Sequence, residues 1–259
     1  MSTVDDCLGR FVWHDLMTTD ADAAKAFYTA LFPEWTINTL PMDGGFNYDM
    51  ISAGGSDVGG IVSLGGIAGV PSHWIGYVAV EDCDAAVAKV EQLGGQCVMP
   101  AVEIPNVGKF AVVHDAQGAH FKPFQLALPR SLPKKPPVGQ FCWDELMTSD
   151  IEAARSGYCD LFGWEFSEAD MGEMGTYTLF KINGIDFAGG MKMPPGTKAP
   201  PNWLPYLCID DTDTRTAQAV ELGATTHVPP TDIPNAGRFS VLADPTGAAF
   251  AMIQIRQDD

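Results

Sequence analysis

Gly9-Arg-Phe-Val-Trp-His-Asp-Leu-Met-Thr-Thr-Asp20 returns 130 residues later as Gly139-Gln-Phe-Cys-Trp-Asp-Glu-Leu-Met-Thr-Ser-Asp150. The correspondence runs on through Tyr28 with Tyr158 and Leu31-Phe32 with Leu161-Phe162. One residue is then lost in a loop, and the offset becomes 129. At that offset Trp74 meets Trp203 and Tyr77 meets Tyr206. Ile104-Pro-Asn-Val-Gly-Lys-Phe110 meets Ile233-Pro-Asn-Ala-Gly-Arg-Phe239 in the same register. So many blocks in one register identify a tandem duplication. The first module is read as residues 1–127 and the second as residues 139–259, joined by a proline-rich linker over 128–138. Proline there predicts a stiff, extended connection.

Each module predicts the order strand, helix and short strands, twice over. Phe11 to Met17 alternates as a strand does, and Thr19 or Asp20 is placed to cap the helix that follows. Ala23, Ala26, Phe27, Ala30 and Leu31 recur at helical spacing and predict that helix's buried face. Gly44-Gly45, Gly54-Gly55 and Gly59-Gly60 are read as breaks between hairpins. A strand from Trp74 to Val80, a helix from Asp82 to Leu93 ended by Gly94, and strands near Lys109–His114 and Ala119–Leu126 complete the module. The expected fold is α+β, with two tandem modules of paired βαβββ units in curved, mostly antiparallel, cup-like sheets.

Thirty-three acidic against fifteen basic side chains leave a formal charge of −18 over 259 residues, and both modules are acidic. That excludes the basic face a nucleic-acid backbone requires. The first residues lack a basic, apolar leader, and no apolar run approaches the roughly 18 residues of a membrane span. Cys7, Cys83, Cys97, Cys142, Cys159 and Cys208 are scattered and read as reduced thiols. The chain is thus expected to be cytoplasmic, as a monomer of two modules or a homodimer.

The string Leu16 to Phe32, its copy at 146–162, and the Asp-Pro-Thr-Gly-Ala248 turn before the last strand resemble the vicinal oxygen chelate superfamily. That group includes glyoxalase I, bleomycin-resistance proteins and extradiol dioxygenases. The resemblance implies a cupped sheet whose metal enzymes hold one divalent ion on three or four His, Glu or Gln side chains. Carried over position by position, the ligand places fall on Trp13, Ile75 and Lys122, and in the second copy on Trp143, Leu204 and Ala251. The remaining place, near Ile61–Ser63 or Met191–Met193, holds no carboxylate either. Trp, Ile, Leu and Ala offer no lone pair, and Lys would have to lose its proton. The expectation is that no metal or other cofactor is used, unless the register slips by one and brings His14 or His73 into the cup.

Alternation along the strands then lines the first cup with Phe11, Trp13, Asp15, His73, Tyr77, His120, Lys122 and Phe124. The second is lined with Phe141, Trp143, Glu145, Asn202, Tyr206 and Ala251. Asp15 and Glu145 are the candidate general bases, because a carboxylate in apolar surroundings binds its proton more tightly. Tyr77 and Tyr206 are the candidate donors to a developing oxyanion. Trp13, Trp143, His73, Asn202, His120, Lys122 and Phe124 are candidate substrate-binding residues. Either carboxylate, and any of the tryptophans, also reads as plain structure. The expected function is a lyase- or isomerase-like proton transfer on a small aromatic or carbonyl-bearing metabolite. A sequestering protein and a metal-dependent lyase or dioxygenase are the alternatives, and which halves combine into a cup stays open.

Overall fold

The computed structural model of the chain describes residues 7–42, 45–128, 130, 132–133, 135–172, 175–234 and 236–256. The first copy runs β1 (Phe11–Thr18), α1 (Ala21–Leu31), β2 (Trp35–Pro41), β3 (Asn47–Ala53), β4 (Ser56–Ser63), β5 (His73–Ala79), α2 (Cys83–Gln92), β6 (Gln96–Ile104), β7 (Gly108–His114) and β8 (His120–Leu126). The second runs β9 (Phe141–Thr148), α3 (Ile151–Phe162), β10 (Glu165–Asp170), β11 (Thr176–Ile182), β12 (Ile185–Lys192), β13 (Asn202–Cys208), α4 (Thr212–Glu221), β14 (Thr225–Ile233), β15 (Gly237–Ala243) and β16 (Ala249–Ile255). Strand order is β2-β3-β4-β1-β5-β8-β7-β6 in the first sheet, and β10-β11-β12-β9-β13-β16-β15-β14 in the second. Within each sheet β1/β4 and β5/β8, or β9/β12 and β13/β16, are parallel. The outer pairs are antiparallel.

The sheets follow the repeat, but the compact units do not. One unit takes Met1–Trp13, Ile75–Lys134 and Trp143–Leu204; the other takes His14–Trp74, Lys135–Cys142 and Pro205–Asp259. Each unit therefore draws a half from both copies. The second unit's core packs Phe27, Tyr28, Leu31 and Trp74 with Leu207, Phe250 and Met252. The first unit's core packs Val78, Val90 and Phe121 with Tyr158, Trp164 and Trp203. Specific polar contacts tie the same halves together. Arg215 on α4 donates to the Leu31 carbonyl at the end of α1, where the helix dipole favours a cation, and pairs with Glu34. In the first unit, Gln117 bonds Ser149 and the backbone of Asp150.

Among the described residues all four α-helices begin at an aspartate, Asp20, Asp82, Asp150 or Asp211, whose side chain accepts the backbone N–H three residues on. That satisfies one of the donors a helix start leaves open. The face of α1 differs from the periodic expectation: Ala24, Phe27, Tyr28 and Leu31 are buried, while Ala26 and Ala30 are exposed. Alanine has too little surface to set a face, and the Tyr28 ring wins it. Gly54-Gly55 forms the β3–β4 turn, as expected, whereas Gly59-Gly60 lies inside β4. Gly44 lies outside the described residues.

Candidate functional site

Asp15 sits on β1 opposite Gly60 of β4, and Met50 of β3 is the next residue across. Tyr48, two residues before Met50, lays its ring over the Gly60 backbone. A Cβ at Gly60 would fall under 3.0 Å from the Tyr48 hydroxyl. The missing side chain lets the phenol pass across one strand and donate to Asp15 Oδ1 at 2.8 Å. The second copy repeats the arrangement in the first unit. Glu145 pairs with Gly189, Tyr177 crosses that glycine, and its hydroxyl donates to Glu145 Oε2 at 2.8 Å. Trp143 Nε1 donates in turn to the Tyr177 hydroxyl at 3.0 Å. Burial and the adjacent Glu145 carboxylate push the Tyr177 phenol well above its ordinary value of 10.0. Tyr177 therefore stays neutral and works as a donor. A hydrogen bond to the carboxylate favours its ionised form, the state from which a base must start.

These two phenols were not picked out in the sequence. The repeat register carried the signal, since Tyr48 lies over Tyr177 and Gly60 over Gly189 at the offset of 129.

A different group gathers around Tyr77. Its strand partner is Lys122, and Lys122 Nζ lies 2.8 Å from the Tyr77 hydroxyl oxygen. The Lys122 side chain is buried, with Nζ 4.3 Å from the centre of the Tyr77 ring and 5.3 Å from that of Phe110. Phe124 closes on Tyr77 edge-on at 5.4 Å. Aromatic faces attract the ammonium and offset part of the cost of burying it. Half-buried Trp13 packs against the same cluster, with Arg130 over its ring. In the second copy Tyr206 is buried opposite Ala251, beside Phe239, and no lysine stands there.

His120, His73 and Asn202 each hold a side-chain nitrogen at hydrogen-bond distance from the carbonyl two residues before them. His120 is exposed, its Nδ1 on the Gly118 carbonyl and its ring 5.3 Å from His114. His73 Nδ1 lies 2.8 Å from the Pro71 carbonyl, and Asn202 donates to the Pro200 carbonyl. Trp74 and Trp203 are core, donating to the buried hydroxyls of Tyr28 and Tyr158. Phe11 departs from the predicted face. It packs into the first unit's core against Trp203 and Trp164, while Val12 joins the Tyr77 cluster. Phe141 likewise lies against the second unit's core, stacked on His14 at 4.0 Å. The aromatic core outbids strict alternation at these strand starts.

A divalent ion does not fit the residues at the superfamily's ligand places. Ile75, Leu204 and Ala251 are buried hydrocarbon, Trp143 offers only a donor already given to Tyr177, and Lys122 is a donor held among rings. His14 is buried and stacked on Phe141, which packs against the second unit's core. Among the described residues no three His, Cys, Asp or Glu side chains come together as a metal site.

Known proteins resemble the chain at both levels. A family model described as the Glyoxalase/Bleomycin resistance protein/Dioxygenase superfamily matches residues 140–252. The Mycobacterium tuberculosis protein named "Putative glyoxylase CFP32" is 35% identical over 245 residues, 93% of either chain. The "Anthracycline biosynthesis protein DnrV" of Streptomyces peucetius is 30% identical over 263 residues, covering 96% of this chain and 94% of its own. A Mn(II)-bound glyoxalase from Novosphingobium aromaticivorans shares the fold at a TM-score of 0.65 and 17% identity, covering 97% of this chain and 84% of that one. With a fold of paired βαβββ units and relatives matched end to end, this chain belongs to the glyoxalase, bleomycin resistance protein and dioxygenase superfamily.

Proposed function

We propose that this chain is a glyoxalase-like enzyme that moves a proton on a small, carbonyl-bearing or aromatic metabolite, without a divalent ion. The observation that carries the reading is the carboxylate–phenol pair, present as Asp15–Tyr48 and again as Glu145–Tyr177. In this reading the carboxylate takes a proton from carbon next to the substrate carbonyl and returns it at the neighbouring position. The phenol donates to the carboxylate and holds it in place. In the first unit Tyr77, with Lys122 at its hydroxyl, acts with Glu145 as donor to the oxyanion that develops, and in the second unit Tyr206 acts with Asp15. Trp13, Trp143, Phe124, His73, Asn202 and His120 are kept as substrate contacts. The donor set at the superfamily's ligand places supports chemistry without a metal. The linker over 128–138 and the module boundaries on either side belong to the same proposal. So does the placement of the protein in the cytoplasm.

A sequestering role is the second reading. The aromatic surroundings of Lys122 favour it, since a buried cation among rings suits binding of an anionic or aromatic compound without reaction. Deuterium uptake from D2O by a panel of α-hydroxy and α-keto carbonyl compounds separates the two. The wild-type protein is expected to exchange the C–H next to the carbonyl. Asp15→Asn with Glu145→Gln is expected to slow that exchange by about 10²-fold or more, with the dissociation constant little changed. Binding without any exchange establishes sequestration, and an unslowed double variant removes both carboxylates from the chemistry.

A further inference from the structure

On the helix side of the first unit, α3 and the end of α2 leave a small pocket, partly open to solvent. Val90, Leu93, Phe121, Tyr158 and Leu161 give it apolar walls, and Asp115 and Gln117 are polar members of the lining. Gly157 forms part of the lining.

The duplication shows what this space is shaped for. Gly157 occupies the place of Phe27 at the offset of 130. In the second unit the Phe27 ring is buried, edge-on to Tyr28 at 4.9 Å and to Phe250 at 6.1 Å. Tyr28, Leu31 and Phe250 have direct equivalents in Tyr158, Leu161 and Phe121. The walls are thus retained while the ring is gone. Val90 in place of Ala219 restores only a pair of methyl groups.

Nothing about the backbone asks for glycine at 157. It lies inside α3, and a Cβ built there meets no atom within 4 Å. A glycine in a helix interior is less favourable than alanine, so the residue weakens the helix and opens the pocket. The carboxylate gives direction. Asp115 Oδ2 accepts from Tyr158 at 3.0 Å, and an oxygen acceptor in the lining suits a ring bearing one N–H or O–H.

We infer that this pocket is a binding site for a small aromatic molecule, a single ring or fused pair with one hydrogen-bond donor, seated where Phe27 seats its ring in the other half. The inference is independent of the proton-transfer reading and survives its failure.

Indole and phenol are the probes, added to the full chain and followed by methyl NMR of Val90, Leu93 and Leu161 together with the melting temperature. Saturable shifts at those methyls and a raised Tm are expected for wild type and for Gly157→Ala. Gly157→Phe is expected to lose the shifts and to melt higher unliganded, because its own ring fills the space. Val90→Phe closes the pocket from the opposite wall and stands in should Gly157→Phe misfold. Absence of shifts in wild type, or shifts that persist undiminished in the folded filling variant, overturns the assignment.

Discussion

At Gly60 and Gly189 a single methyl group decides whether the carboxylate keeps its phenol. Alanine at either position puts a Cβ against a tyrosine hydroxyl and ring at separations no real Cβ shows. Gly189→Ala is therefore expected to displace Tyr177 and to cost about 1–3 kcal/mol, as overpacking does, read from the urea midpoint at constant m-value. The buried tyrosines add a pH signature. Burial first, then a neighbouring carboxylate, holds the phenols of Tyr28, Tyr158 and Tyr177 well above 10.0. The folded chain binds these protons more tightly than the unfolded one, so the stabilisation is complete below about pH 10 and is lost as pH rises further. Unfolding followed from pH 8 to 11.5 is expected to show a midpoint falling only in the alkaline limb, less steeply in Tyr177→Phe. A midpoint flat across that limb refutes it. Asp15 and Glu145 were legible because they stand in the repeated motif. Tyr48 and Tyr177 were not, because reaching the carboxylate takes a ring lying across a third strand.

Among the elements, helix starts were the most legible, since an aspartate before each helix answers a local need for an acceptor. Asp150→Ala is expected to cost about 1 kcal/mol, measured by denaturant unfolding; an unchanged midpoint contradicts the capping role. Faces were less legible. Ala26 and Ala30 kept the helical period without the surface to use it, and α1 turned to bury Tyr28. Gly59-Gly60 reads locally as a turn, and only a distant tyrosine makes it the interior of β4. Phe11 shows the same limit, leaving the face its neighbours predict to pack with Trp164 and Trp203, residues more than a hundred positions away.

For the whole molecule, the duplication announced two modules, and the strand order of both sheets agrees with it. The two cores answer to another rule, each built from a half of either copy. Nothing local could disclose that, because both choices bury equivalent residues. Severing the chain at 138 removes part of both cores at once. Residues 1–138 alone are expected to lack near-UV circular dichroism and a cooperative transition, and co-expression with 139–259 is expected to restore both; a cooperatively folded fragment contradicts the shared cores. The functional account rests on Asp15 and Glu145 as proton acceptors, each two residues from a superfamily ligand place that holds a tryptophan. The decisive measurement is the deuterium exchange of a carbonyl substrate by protein stripped with a chelator and assayed before and after Mn(II). The account predicts one rate throughout, slowed by about 10²-fold or more only in the Asp15→Asn, Glu145→Gln variant. Exchange that vanishes on stripping and returns with the metal contradicts it.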